Sequence, residues 1–219
     1  MVSGHGSKPF FLYTSPMIKN LIFDMGNVII DIDVPLTYRA FAQMAHLSEE
    51  DATRLFHEKA FFHQFEIGKV NETDFRDSLR NEFKVNWTDQ EIDEAWCALL
   101  LEMPVERLAR IQELAKKYRV FLLSNTNSIH VKEILKRADS LGYDFMSLFE
   151  KPFLSYEMGF MKPDPEFYRQ ALQDGGGLIP EETLFIDDNA DNIAAAATVG
   201  IQTIWLNPIG SVLDKLVEY

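Results

Sequence analysis

Four short apolar runs punctuate the chain: Asn20–Phe23, Val120–Leu123, Leu184–Ile186 and Gln202–Leu206. Each ends in a polar turn, and stretches of helical periodicity separate one from the next. Runs that are apolar at successive positions predict strands covered on both faces, and strands alternating with helices predict a parallel sheet. Pro104–Lys117 reads as the helix feeding the second strand, with Leu108, Ile111, Leu114 and Ala115 along one side. Ala190–Val199 reads as the helix after the third run, closed by Gly200.

Residues 35–103 carry a different pattern. They hold no convincing buried strand and several helix starts: Ser48-Glu49-Glu50-Asp51, Asn71-Glu72-Thr73-Asp74 running toward Phe83, and the capping box Thr88-Asp89-Gln90-Glu91. The expected organisation is an α/β core of residues 17–34 and 104–219. A helical cap of residues 35–103 would be inserted after the first strand, over the C-terminal edge of the sheet. Residues 1–16 show no periodicity and no secretory-signal layout, so they are expected to form an unstructured extension. Folding, and even translation, is expected to begin at Met17, which an intact mass of the native protein would test.

Composition narrows the field. With 219 residues, 47% hydrophobic and 25% charged, the chain can bury one sizeable core and a small accessory unit. No apolar run approaches the roughly 18 residues of a membrane span. The single cysteine, Cys97, excludes an intramolecular disulfide and fits a reducing cytosol. Its apolar neighbours Trp96, Ala98 and Leu99 mark it as packing rather than nucleophile. A net charge of −13 opposes nucleic acid as a partner. It also obliges a phosphorylated ligand to find lysine, backbone N–H groups or a bound cation. No sticky surface patch stands out, so a monomer is the default.

The polar stops carry the candidate chemistry. Asp24 follows the first run, at the strand end where open α/β sheets bind ligands. Ser124 and Asn125 follow the second, Asp187 and Asp188 the third, and Lys162 precedes Pro163 between them. Asp24 is the candidate nucleophile: attack on phosphorus would give an aspartyl-phosphate and split one hard displacement into two. Both partners are anionic, so charge must be neutralised. Asp24 and Asp188 can hold a Mg²⁺ ion while Asp187 orients a metal-bound water. Lys162 supplies positive charge, and the Ser124 hydroxyl and Asn125 N–H can donate to the phosphoryl oxygens. Ser124 and Asn125 also stand where they would cap a helix beginning near Ser128. Asp31 and Asp33 read as the turn into the insertion, His130 as a packing or surface histidine, and Phe61, Phe62 and Phe65 as core.

Four motifs in this order resemble the haloacid dehalogenase (HAD) superfamily: Phe23-Asp24-Met25-Gly26, Leu123-Ser124-Asn125, Lys162-Pro163-Asp164 and Asp187-Asp188-Asn189-Ala190-Asp191-Asn192. The resemblance covers nearly everything from Met17 onward. Within the superfamily the wording is most similar to bacterial sugar-1-phosphate phosphatases of the α-D-glucose-1-phosphate type. The resemblance implies a Rossmann-like parallel sheet with helices on both faces, a helical cap of the C1 type, Mg²⁺ dependence and phosphate-ester hydrolysis. It also implies that residue 26 meets the metal through its backbone carbonyl, so Gly26 joins Asp24, Asp187 and Asp188 in the implied metal set.

One position departs from the pattern. Most phosphatases of the superfamily carry a second aspartate two residues after the nucleophile, as general acid and base, and here Gly26 stands there. Such proton transfer is typically worth about 10²–10⁴-fold. A sugar 1-phosphate would suffer least, because its anomeric leaving oxygen is less basic than an ordinary alkoxide. The expectation is a slow Mg²⁺-dependent phosphatase of a small phosphorylated metabolite such as glucose 1-phosphate, with the segment His63–Gly68 placed to reach the sugar. The rivals are a β-phosphoglucomutase-like phosphomutase, a 2-haloacid dehalogenase, and a catalytically weak protein that binds a phosphorylated ligand.

Overall fold

Successive residues of each central strand face opposite sides of the sheet, and both sides are buried. Leu21, Phe23, Val120, Leu122, Leu184 and Ile186 join one apolar cluster, whereas Ile22, Phe121, Leu123 and Phe185 join another. The computed structural model describes residues 17–207, so the expectation for residues 1–16 lies outside the described residues. The sheet contains β1 (Asn20–Phe23), β2 (Arg119–Ser124), β3 (Lys151–Leu154), β4 (Thr183–Asp187) and β5 (Gln202–Trp205). All neighbours pair in parallel, in the order β3-β2-β1-β4-β5. β1 is central: Phe23 lies opposite Leu122 on one side and Ile186 on the other. The residues that follow these three strands therefore emerge side by side.

Five helices separate β1 from the next strand-feeding helix: α1 (Val34–Ala45), α2 (Glu49–Glu58), α3 (Ala60–Glu66), α4 (Glu72–Phe83) and α5 (Asp89–Trp96). The starts of α2, α4 and α5 are those the sequence signals. Ser48 Oγ accepts from the Asp51 N–H at 3.1 Å, Asn71 Oδ1 accepts from the Asp74 N–H at 2.9 Å, and Thr88 and Glu91 form a capping box. Aromatic rings bind the helices together: Phe65 stacks on Phe75 with centroids 4.1 Å apart, and Phe56 on Phe62 at 4.3 Å. This cluster is continuous with one face of the sheet, where α6 (Val105–Leu114) and α7 (Ser128–Ser140) also pack. Phe62 and Phe65 belong to it, and the partly buried Phe61 packs against it. A one-turn helix, α8 (Ser155–Met158), follows β3, and α9 (Pro165–Asp174) and α10 (Ala190–Thr198) cover the opposite face.

The chain enters and leaves the helical insertion through paired segments. The Asp31 N–H donates to the Glu102 carbonyl, the Leu101 N–H to the Asp31 carbonyl, and the Asp33 N–H to the Leu99 carbonyl, each at 2.9 Å. Arg107 ties the Asp31 carboxylate at 2.7 Å, which accounts for that acid structurally. At its far end the insertion meets the sheet domain at Gly68. A Cβ there would fall 1.9 Å from the Tyr156 carbonyl oxygen, and the residue has φ +70°.

Three elements differ from the sequence expectation. β3 was not expected; it is an edge strand containing Pro152, which an edge tolerates because one side needs no N–H donor. The helix expected to reach Lys117 ends at Leu114 and continues as tighter turns, the Lys117 N–H donating to the Leu114 carbonyl at 2.9 Å. β5 ends at Trp205, and the Leu206 N–H turns back to the Asp187 carbonyl at 2.9 Å. Gly200 closes α10 at φ +88°, as its position suggested. Among the described residues no helix is long and apolar enough to cross a membrane.

Candidate active site

The three strand ends bring Asp24, Ser124, Asn125, Asp187 and Asp188 to one edge of the sheet, and Lys162 projects among them. The Asp24 N–H donates to the Ile186 carbonyl at 2.9 Å, extending the β1–β4 ladder through the acid itself. Asp24 Oδ1 accepts from the Met25 N–H and from Lys162 Nζ, both at 2.7 Å. Oδ2 has no protein donor among the described residues, so one oxygen is held and the other is free. Lys162 is 3% exposed and reaches Asp187 Oδ2 at 2.7 Å as well, so its ammonium bridges two carboxylates.

Burial pushes the Asp24 carboxyl up to about 7; Lys162 opposes this rise and the Asp187 charge adds to it. Burial works against the charge on Lys162, but the attraction of Asp24 and Asp187 overcomes it and holds the ammonium above the ordinary lysine value. Asp187 is fully buried. Its oxygens accept from Lys162, from Asn192 Nδ2 at 3.1 and 3.0 Å, and from the Asn189 N–H at 2.7 Å. Its lone pairs are thus engaged by protein donors, and the side chain it serves directly is Lys162.

Asp188 is partly exposed. Asn27 Nδ2 donates to its Oδ2 at 2.9 Å, while Asn27 Oδ1 accepts from the Ile32 N–H at 3.1 Å. Asn27 adopts φ +55°, a conformation asparagine tolerates better than most residues, and so fastens the loop after Asp24 to the loop after β4. Trp205 Nε1 secures the Asp188 carbonyl at 2.9 Å. Carboxylate oxygens of Asp24, Asp187 and Asp188 lie within 4.8 Å of one another. An all-oxygen set that reaches solvent at Asp188 suits a hard divalent ion that keeps several waters, as Mg²⁺ does. Asp24 Oδ2 and Asp188 Oδ1 are the oxygens left available for it.

Asn125 does not cap the following helix. Its Oδ1 accepts from the Lys162 N–H at 2.7 Å and its Nδ2 donates to the Lys162 carbonyl at 2.8 Å. The residue that caps α7 is Asn127, whose Oδ1 accepts from the His130 N–H and from Trp96 Nε1, both at 3.1 Å. Ser124 is 1% exposed and makes only a long 3.4 Å contact with the Asn125 carbonyl, leaving its hydroxyl uncommitted. His130 stacks on Trp96, ring centroids 5.1 Å apart. Its Nε2 donates to the Trp96 carbonyl at 3.0 Å and its Nδ1 accepts from Asn127 Nδ2 at 3.1 Å, the pattern of a neutral ring. Burial lowers its pKa to about 4.

At Gly26 the structure explains what takes the place of a side chain. A Cβ at this position would fall 2.7 Å from Ile32 Cδ1, so hydrocarbon fills the space into which a carboxylate would project. Cys97 is buried, and its thiol is pushed up to about 12 by burial, which removes it as a nucleophile. Sequence reasoning missed Asn27 and Asn192. Asn27 contributes through Asp188, far away in the chain, and Asn192 through Asp187, five residues before it; only the left-handed conformation that Asn-containing loops favour hinted at the first.

The pattern that defines the haloacid dehalogenase-like hydrolases matches residues 18–200, and the chain belongs to that family of hydrolytic enzymes. It is 34% identical, over 188 residues, to D-ribitol-5-phosphate phosphatase of Bacteroides thetaiotaomicron, an alignment covering 85% of this chain and 91% of the relative. A HAD-family enzyme from the same organism, solved with magnesium and inorganic phosphate, superposes with a TM-score of 0.84 at 35% identity, covering 91% of this chain and 98% of that one. A HAD-like hydrolase from Porphyromonas gingivalis gives a TM-score of 0.81 at 31% identity, covering 93% and 99%.

Proposed function

We propose that the protein is a Mg²⁺-dependent phosphatase of small phosphorylated metabolites, a sugar or sugar-alcohol phosphate, working through an aspartyl-phosphate on Asp24. The observation that carries this reading is the asymmetry of the Asp24 carboxylate. Met25 and Lys162 hold Oδ1, which fixes the direction in which the free Oδ2 faces an incoming phosphorus. When bound, Mg²⁺ would be held by Asp24, Asp188 and the Gly26 carbonyl, and would neutralise charge on the phosphoryl group.

The residues of the chain do the rest. Lys162, fixed by Asp187 and Asn125, offers positive charge to the transferring group. The Ser124 hydroxyl and the Asn125 N–H donate to its oxygens. Asp24 Oδ2 forms the bond to phosphorus as the bond to the ester oxygen breaks, and the alcohol leaves. Water then cleaves the acyl phosphate and restores the carboxylate. The helical insertion, residues 35–103, acts as a cap over this edge and selects the alcohol. With Ile32 filling the space beside Gly26, no side chain at that position moves the proton. Esters with acidic leaving groups, such as glucose 1-phosphate, are therefore expected to turn over best. The B. thetaiotaomicron relative named for ribitol 5-phosphate supports the same class of substrate.

A phosphate-ester panel with Mg²⁺, run with and without EDTA and beside Asp24→Asn, tests the reading. Stoichiometric free phosphate, lost in EDTA and in the variant, supports it. An isomeric sugar phosphate as product would make the protein a mutase. Absence of turnover on every ester would leave a phospho-ligand-binding protein.

A further inference from the structure

A cavity between α1, α2, α3 and the start of α7 contains a carboxylate that nothing among the described residues satisfies. The cavity measures about 390 Å³, within the range of about 300–1,000 Å³ typical of small-molecule sites. Glu66, the last residue of α3, lines it. Among the described residues its side chain has no hydrogen-bond or ion-pair partner, and burial alone pushes its pKa up to about 7. Glu66 is half-buried, so an unpaired acid there keeps only partial contact with water, and a hydroxylated guest entering the cavity would complete its hydrogen bonding.

The remaining walls favour a polyhydroxylated guest. Tyr38 lies close enough for the charge of Glu66 to raise the pKa of its phenol. His63 adds a second polar group, and the stacked rings of Trp96 and His130 present a flat apolar surface. Carboxylate, phenol and imidazole can pair with hydroxyls, while C–H faces pack on the rings. A phosphate is excluded from the Glu66 wall by like charge, so the neutral part of an ester belongs there. Trp96 and His130, which line the cavity, both bond Asn127, three residues after Ser124. The cavity therefore borders the loop that carries Ser124 and Asn125.

We propose that Glu66 is a specificity residue, accepting hydrogen bonds from vicinal hydroxyls of a polyol or sugar whose phosphate is bound at Asp24. This assignment rests on the phosphatase reading above. The test compares Glu66→Gln and Glu66→Ala with the unsubstituted protein on ribitol 5-phosphate, glucose 1-phosphate and p-nitrophenyl phosphate, which has no aliphatic hydroxyl. Both variants are expected to raise KM for the hydroxylated esters at least tenfold, with kcat changed less than threefold and p-nitrophenyl phosphate hydrolysis changed less than twofold. Calorimetric titration of the two sugar esters into Asp24→Asn, with and without Glu66→Gln, should show the same tenfold loss of affinity without requiring turnover. Equal losses on all three esters, or unchanged KM and affinity for the hydroxylated ones, overturn the assignment and leave the phosphatase reading standing. An unsubstituted protein that turns over none of the esters overturns the phosphatase reading, and the titrations alone then decide whether Glu66 reads hydroxyls.

Discussion

Asn125 grips Lys162 at both ends of its backbone, through its amide oxygen at 2.7 Å and its amide nitrogen at 2.8 Å. The lysine that bridges Asp24 and Asp187 is thus aimed by a residue that never touches its ammonium. Asn125→Ala removes both bonds and is expected to lower kcat about 10–100-fold, since misplacement by about 1 Å can cost as much. Asn125→Asp keeps the acceptor, loses the donor and should fall between. Lys162→Gln should cost more than either. Steady-state kinetics beside melting curves check the order; equal melting temperatures with unequal kcat mark positioning rather than folding.

Asn27 and Asp188 make a second such pair. Asp188→Asn is expected to raise the Mg²⁺ concentration for half-maximal activity by more than about a hundredfold, beyond the range of a residue that only orients a ligand, because one of the two available carboxylates is lost. Asn27→Gly retains the φ of +55° but deletes the amide that orients Asp188, so a smaller shift within about 10–100-fold is expected. Metal titrations of activity, with calorimetric Mg²⁺ binding as a second readout, separate the two effects.

Gly26→Asp by itself places a side chain against Ile32. Paired with Ile32→Val, which removes the obstructing Cδ1, it is expected to raise kcat on alkyl phosphates about tenfold or more, with less gain on p-nitrophenyl phosphate, whose leaving group needs no proton. An unchanged ratio between the two substrates would show that proton transfer does not limit the rate.

His130 makes stability depend on pH. Its folded pKa of about 4 lies below the ordinary 6.5, so on its account the unfolded chain binds more protons between these values, and the histidine's contribution to stability rises with pH across that window. At ~1.4 kcal/mol per pH unit, its full protonation is linked to a loss on the order of 3 kcal/mol. Asp24 and Glu66, both pushed up to about 7, act with the opposite sign over the same range. Urea unfolding between pH 4.5 and 7 is therefore read as a difference: the stability of the unsubstituted protein minus that of His130→Gln should rise with pH, because glutamine fills the site without titrating.

Much of the fold was legible because burial on both faces demands apolar residues along a central strand, as in Leu21–Phe23, Val120–Leu123 and Leu184–Ile186, while β5, a partly exposed edge strand, was legible from Ile204, Trp205 and the turns around it. β3 was not, since an edge strand with one neighbour can hold Lys151 and Pro152 and still pair. The acids and Lys162 were legible as polar stops after buried runs. What those stops do to one another was not. That Lys162 closes the shell of Asp187, or that Asn127 also holds Trp96 of the insertion, depends on contacts between segments brought together only when the sheet forms, whereas the bonds of Asn189 and Asn192 to Asp187 and of Asn127 to the His130 N–H are local ones that pattern alone did not resolve. His130 shows the same limit. Its neutral state is set by burial, to which the stacked ring of Trp96, a residue of the insertion, contributes cover that local pattern cannot supply.

The methyl group of Ile32 that sits against Gly26 also constrains how this lineage can change. An acid arriving at residue 26 must displace the end of a half-buried side chain six residues on in the same segment. The two positions then change most readily as a pair. Adaptation to a new leaving group has a second route through the walls of the neighbouring cavity, which leaves the place of the proton donor untouched.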